Sequence, residues 1–74
     1  MFGERAVFKM YIKDGCSYCD KARDVILSEM QMSLHTINIT KDPHTREMIT
    51  EDTGHKTLPA IFIGGVFIGG CDDL

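Results

Sequence analysis

Two cysteines three positions apart, Cys16 and Cys19 in the run CSYC, are the residues of this chain best suited to covalent chemistry. Such a pair can hold half of a zinc site, close a structural disulfide or cycle as a redox couple. A structural zinc site takes four ligands, usually as two close pairs. The remaining candidates are Cys71, His35, His44 and His55, and no second close pair exists among them. Three cysteines are an odd number, and few for a disulfide-stapled secreted miniprotein. In a reducing compartment a close pair is more often catalytic or metal-binding than structural. A C-x-x-C beside a β-α-β pattern reads as a redox motif, and that reading is favoured.

The pair also has a direction. Residues i and i+3 of a helix share nearly one face, so Cys16 and Cys19 can reach each other. Cys16 comes first, where the unpaired N–H groups of a helix start favour negative charge on a sulfur. Lys13, three residues earlier, adds a cation. Cys19 is expected one turn inside on the apolar face, less exposed and less acidic. Thiol exchange needs this asymmetry of one attacking and one resolving sulfur.

Several elements must position these thiols. AVFKMYI, residues 6–12, reads as a strand that Asp14 and Gly15 break. From Ser17 the pattern is helical, with Cys19, Ala22, Ile26 and Met30 on one apolar face. SLHTINI, residues 33–39, alternates as a second strand. Asp42 followed by Pro43 predicts a helix start. That helix carries Met48 and Ile49 inward and stops near Gly54. IFIGGVFIGG, residues 61–70, predicts a hairpin turning at Gly64-Gly65, its second strand ended by Gly69-Gly70. The order is β-α-β-α-β-β, an α/β fold over residues 1–74 as one domain. The first two strands are parallel through a right-handed crossover and the hairpin adds antiparallel ones. The result is a mixed four-stranded sheet with helices on both faces.

Composition narrows the function. Of 74 residues, 43% are hydrophobic and 26% charged, ordinary for a globular domain. No apolar run approaches the roughly 18 residues of a membrane span. Glu4, Arg5 and Lys9 interrupt the opening residues, which do not read as a signal peptide. The net charge is -3, and the second part of the chain, with three basic and six acidic residues after Gln31, holds the whole excess. A nucleic-acid footprint is missing; a reducing, cytoplasmic setting is expected.

Together with CSYC, TLP at residues 57–59 and GGCDDL at residues 69–74 make the chain resemble the glutaredoxins over essentially its whole length. Thioredoxin, with its W-C-G-P-C motif, fits less well, since this chain has no tryptophan. The resemblance implies a thioredoxin-like fold and glutathione-dependent reduction of disulfides. It assigns Cys16 as nucleophile and Cys19 as resolving thiol, with Pro59 as a cis-proline facing them. Thr57 and Leu58 precede it, and the Leu58 backbone would bond the cysteinyl unit of glutathione as an added strand does. Lys13 and Lys56 would hold the glycine carboxylate, and Tyr18 would line the groove. Gly70, Cys71, Asp72 and Asp73 would meet the γ-glutamyl end, backbone N–H groups on its carboxylate and an aspartate on its ammonium. Glutathione, with two carboxylates and one ammonium, asks for cations at one end and an acid at the other. Disulfide-containing proteins are the implied partners, ribonucleotide reductase being a common client of the family. Taken singly, Lys13 reads as a solvated strand-end lysine, Lys56 as a loop charge and Cys71 as a small buried side chain. The three histidines read as surface or loop residues, and the methionines as core.

Two departures from the family pattern carry expectations. Many members have proline where this chain has Ser17, and some lacking it bridge a two-iron, two-sulfur cluster between two subunits with glutathione. Cys16 would then be an iron ligand, an alternative in which the chain is a carrier; a redoxin reduced by a flavoprotein is another. The family also continues past GGCDDL into a final helix beside the first, missing from this sequence, which ends at Leu74. An apolar patch left there is expected to lower stability or drive self-association; otherwise the chain is expected to be a monomer.

Overall fold

A computed structural model of the chain describes residues 7–74. It runs from β1 (Phe8–Ile12) to α1 (Ser17–Asp24), which continues into a π-helical turn (Val25–Glu29), and then to β2 (Leu34–Asn38). α2 (Pro43–Thr53), β3 (Ala60–Ile63), β4 (Val66–Gly69) and a 3₁₀ turn (Cys71–Asp73) complete it. Ala6, expected to open the first strand, lies outside the described residues. The strands form one mixed sheet in the order β2-β1-β3-β4. β1 and β2 are parallel, as two strands joined through a helix should be, and β3 pairs antiparallel with both β1 and β4.

Side chains alternate across a strand, and here they feed two cores. Phe8 and Met10 of β1 pack with Ala22 of α1, Ile26 of the π-helical turn and Ile61 of β3. Tyr11, Ala60 and Phe62 face the other way, toward Ile49 of α2, Leu58 and Ile39. The helices thus lie on opposite faces of the sheet. Ile26 is 0% exposed; burying such a side chain contributes about 1.5–3 kcal/mol.

Local chemistry sets the ends of the elements. Asp42 caps α2: its Oδ1 accepts the Thr45 N–H at 3.1 Å and its Oδ2 the Thr45 hydroxyl at 2.7 Å. These bonds hold the Asp42 carboxyl below its ordinary pKa. Gly54, left-handed at φ 77°, closes the helix with its N–H on Thr50 O at 2.8 Å. Gly64 and Gly65 both have positive φ, 56° and 83°, as a two-residue hairpin turn of type I′ requires.

Two methionines depart from the expected pattern. The helical spacing puts Met30 inward with Cys19, Ala22 and Ile26, yet it is 43% exposed. Its N–H donates to Val25 O, five residues back, at 2.8 Å. This π-type turn inserts one residue and rotates the residues after it by about 100°. Met48 is 48% exposed rather than inward. The inner face of α2 runs Thr45, Ile49, Thr53 at helical spacing, and Met48 lies one residue's step off it. Among the described residues no helix is long and apolar enough to cross a membrane.

Candidate active site

The loop between β1 and α1 is held at Asp14 by two bonds, from partners that are themselves bonded together, before it reaches Cys16. The Asp14 N–H donates to Thr40 Oγ1 at 2.7 Å, and Asn38 Nδ2 to Asp14 Oδ1 at 2.8 Å. The Thr40 N–H donates to Asn38 Oδ1 at 2.9 Å. Gly15 turns the chain at φ 68°, a left-handed conformation that costs glycine little. Cys16 then serves as the N-cap of α1, extended at φ -99° and ψ 103°.

Its sulfur stands where a capping oxygen usually does. The Cys19 N–H donates to Cys16 Sγ at 3.2 Å. Across the site, the Cys16 S–H donates to Leu58 O at 3.6 Å. The Leu58–Pro59 peptide bond is cis, and Pro59 is buried. All three cysteines are free thiols. Cys19, 3% exposed against 9% for Cys16, is the more enclosed sulfur, as its place one turn inside the helix predicts. Burial pushes its thiol up to about 12 from an ordinary 9.0, helped by the hydrogen bond to Cys16 and opposed by one from the Lys13 backbone. One sulfur is therefore held by a helix N–H at the groove, and the other stays a thiol behind it.

Two adjoining grooves meet at Tyr18, Thr57 and Leu58. One, of about 300 Å³, holds Lys13, Cys16 and Arg46. The other, of about 310 Å³, runs past Pro59 and His55 to Gly70, Cys71, Asp72 and Asp73. The structure therefore lines these grooves with every site residue expected from the sequence except Lys56 and Cys19, the latter lying behind Cys16. Lys56 is exposed and lines neither groove. Its carbonyl instead accepts a bond from Arg46 Nη2 at 3.4 Å, which brings the arginine toward the site. Besides Gly15 and Ser17, which flank Cys16, Arg46 and half-buried His55 line the grooves without having been expected there. His55 lies in the loop between α2 and β3, as expected, and is half-buried there as part of the groove wall.

At the far end, Gly69 has φ 127° and a methyl there would run into the Asp73 carboxylate. That carboxylate caps the 3₁₀ turn, taking the Gly70 N–H on Oδ2 at 2.9 Å. The Gly70 donor, expected to meet a ligand carboxylate, is thus engaged. The N–H groups of Cys71 and Asp72, in the first turn, have no carbonyl partner within it. Half-buried Cys71 also packs against the α1-side core.

A C-x-x-C at a helix start, opposite a cis-proline loop on a mixed four-stranded sheet with a helix on each face, defines a dithiol redox site of the thioredoxin-like fold. The family model for glutaredoxin matches residues 8–68, and the chain belongs to the glutaredoxin family, whose chemistry is thiol–disulfide oxidoreduction. Glutaredoxin 3 of Escherichia coli K12 is 38% identical over 66 residues, covering 89% of this chain and 78% of that protein. The solution structure of glutaredoxin from Brucella melitensis superposes with a TM-score of 0.78 at 35% identity, over 96% of this chain and 76% of that one. The crystal structure of a buckwheat glutaredoxin–glutathione complex gives 0.81 at 28% identity, over 89% of this chain and 62% of that one. This chain therefore spans less than two thirds of the buckwheat protein.

Proposed function

We propose that the protein reduces glutathione mixed disulfides and protein disulfides through Cys16 and Cys19, with glutathione as electron donor. The observation that carries this is the charge layout of the groove. Cations Lys13 and Arg46 stand beside Cys16, and the acidic 70–73 turn closes the other end. That layout complements a peptide with a carboxylate at each end and an ammonium beside one of them. Arg46 takes the part of second cation that the resemblance gave to Lys56. The buckwheat protein, by its description, binds glutathione on the same fold.

Cys16 thiolate attacks the glutathionyl sulfur of a mixed disulfide, and the other half leaves as a thiolate that takes a proton. A second glutathione thiolate then attacks the glutathionyl sulfur on Cys16. Glutathione disulfide departs and Cys16 is regenerated, so one free glutathione is consumed and the mixed disulfide is exchanged for a substrate thiol and glutathione disulfide. With a protein disulfide, Cys16 forms the mixed disulfide. Cys19 attacks Cys16 Sγ, leaving a Cys16–Cys19 disulfide and a reduced substrate. Capping Cys16 removes its bond and its charge from Cys19, two of the influences that hold that thiol protonated. Recycling by glutathione requires a reducing compartment such as the cytoplasm.

The test is reduction of a small glutathione mixed disulfide, coupled to glutathione reductase and NADPH, for wild type, Cys16→Ser and Cys19→Ser. Activity lost in Cys16→Ser and kept in Cys19→Ser is expected. A folded but inactive wild type overturns the reading. A brown dimer after anaerobic reconstitution with iron, sulfide and glutathione would then favour the cluster carrier.

A further inference from the structure

His55 lies outside the chemistry just described, yet it touches both sides of the groove. Its ring stacks on Phe67 of β4, with centroids 5.3 Å apart at 55°. Phe67 continues a row through Phe62 to Tyr11, at centroid spacings of 5.2 and 5.7 Å. On its other side the ring abuts Gly70, where an added Cβ would lie 3.2 Å from Cε1 and 3.4 Å from Nε2. Nε2 is 3.2 Å from Pro59 O and 3.4 Å from Thr57 Oγ1. A carbonyl only accepts, so the Pro59 contact requires a proton on Nε2. The backbone is fixed as firmly: the His55 N–H donates to Thr53 Oγ1 at 3.1 Å, and the Thr50 hydroxyl donates to His55 O at 3.2 Å. The histidine is thus anchored at the end of α2. From there it joins the cis-proline loop, which forms the groove floor, to the glycine that starts the far wall.

We propose that His55 is a positioning residue that sets the spacing between the Thr57–Pro59 segment and the Gly70–Asp73 turn, and so the fit of the glutathionyl group. This rests on the glutathione reading above. The Leu58 backbone and the Cys71 and Asp72 N–H groups would bind different parts of one tripeptide. Their separation must therefore match it, and His55 is the side chain that bridges them. The same packing crowds Gly70, where a side chain would need the ring to give by a few tenths of an ångström.

The experiment is steady-state reduction of cysteine–glutathione disulfide by wild type, His55→Ala and His55→Gln. Glutamine keeps an N–H donor of similar reach. Alkylation of Cys16 by iodoacetamide, a reagent too small to need the groove, reports the thiol independently. In His55→Ala, KM for the disulfide should rise about threefold to tenfold, the loss of one hydrogen bond and its spacing, with kcat within about twofold. Cys16 alkylation should be unchanged, and His55→Gln should return KM to within about twofold of wild type. An active His55→Ala with wild-type KM overturns the role. So does an equal loss of kcat and of Cys16 alkylation in both variants, the mark of a merely structural residue. Should His55→Ala fail to fold, His55→Gln decides: wild-type KM supports the role and a KM raised like that of a disrupted groove refutes it. A folded wild type without saturable activity instead removes the glutathione reading, and this role with it.

Discussion

Cys19 should be nearly inert while Cys16 is a free thiol, and the size of that inertness follows from its surroundings. Burial and the Cys16 bond push its thiol up to about 12 from an ordinary 9.0. At pH 8 the thiolate fraction of such a group falls about a thousandfold below that of an ordinary cysteine, and alkylation requires the thiolate. The perturbation is the double variant Cys16→Ser, Cys71→Ser, which leaves one cysteine to follow. Burial, the larger cause, survives in it. The assay is iodoacetamide labelling at pH 8 followed by intact mass, natively and in guanidinium chloride. Native labelling should be slower by about one hundredfold, short of the full thousandfold because the Cys16 bond and charge are gone, provided global stability exceeds about 3 kcal/mol. Native labelling within tenfold of the denatured rate would refute the reasoning. The same group has a stability signature. The unfolded thiol loses its proton near 9.0 and the folded one near 12, so the native state binds more protons between them. The contribution of Cys19 is full below about 9 and is lost as pH rises toward about 12. Cys19→Ala should flatten that alkaline fall in a denaturation series.

The packing carries further expected outcomes. Ile26→Ala empties a fully enclosed site and should cost about 2–5 kcal/mol in urea unfolding, a large share of the stability of so short a chain. Gly69→Ala adds a methyl at φ 127° against the Asp73 carboxylate and should destabilise by about 1–3 kcal/mol. Combining it with Asp73→Ala should recover part of that loss, read as a coupling energy in a double-mutant cycle. Asp42→Ala should lower stability at neutral pH and weaken its acid dependence. The native carboxyl is held below its ordinary value, so its contribution is present above the unfolded pKa and fades as pH falls through the native one. An unaltered acid limb in a pH-dependent melt would contradict this.

Much of this fold is legible because its signals are local. Asp42-Pro43 and Gly54 mark α2 through capping that involves only adjacent residues, and Gly64-Gly65 marks the hairpin through backbone freedom alone. The two thiols and the TLP and GGCDDL stretches are likewise readable as short motifs. What escapes depends on distance or on broken periodicity. Arg46 reads as an ordinary surface residue of a helix until the chain folds and its guanidinium reaches the Lys56 carbonyl, ten residues on. Lys56 looks suitable for the site by position, but it lines neither groove, and its carbonyl accepts from Arg46. His55 becomes a wall residue only through Phe67 and Gly70, more than ten positions away. Nothing in VILSE announces that the repeat slips, and periodicity alone misplaces Met30 for that reason.

That slipped turn has a consequence for how the chain tolerates changes of length. A π-type turn holds one residue more than an α-helix needs over the same stretch. Removing a single residue, Leu27 or Ser28, can therefore be absorbed by reverting to α geometry, leaving Cys19, Ala22 and Ile26 in register. The same deletion between Cys19 and Ile26 would swing the two sides of the helix about 100° out of phase. It would separate the resolving thiol from the face that buries it. The turn acts as slack at the far end of the helix, so the end that carries the sulfurs need not move when the chain's length changes there.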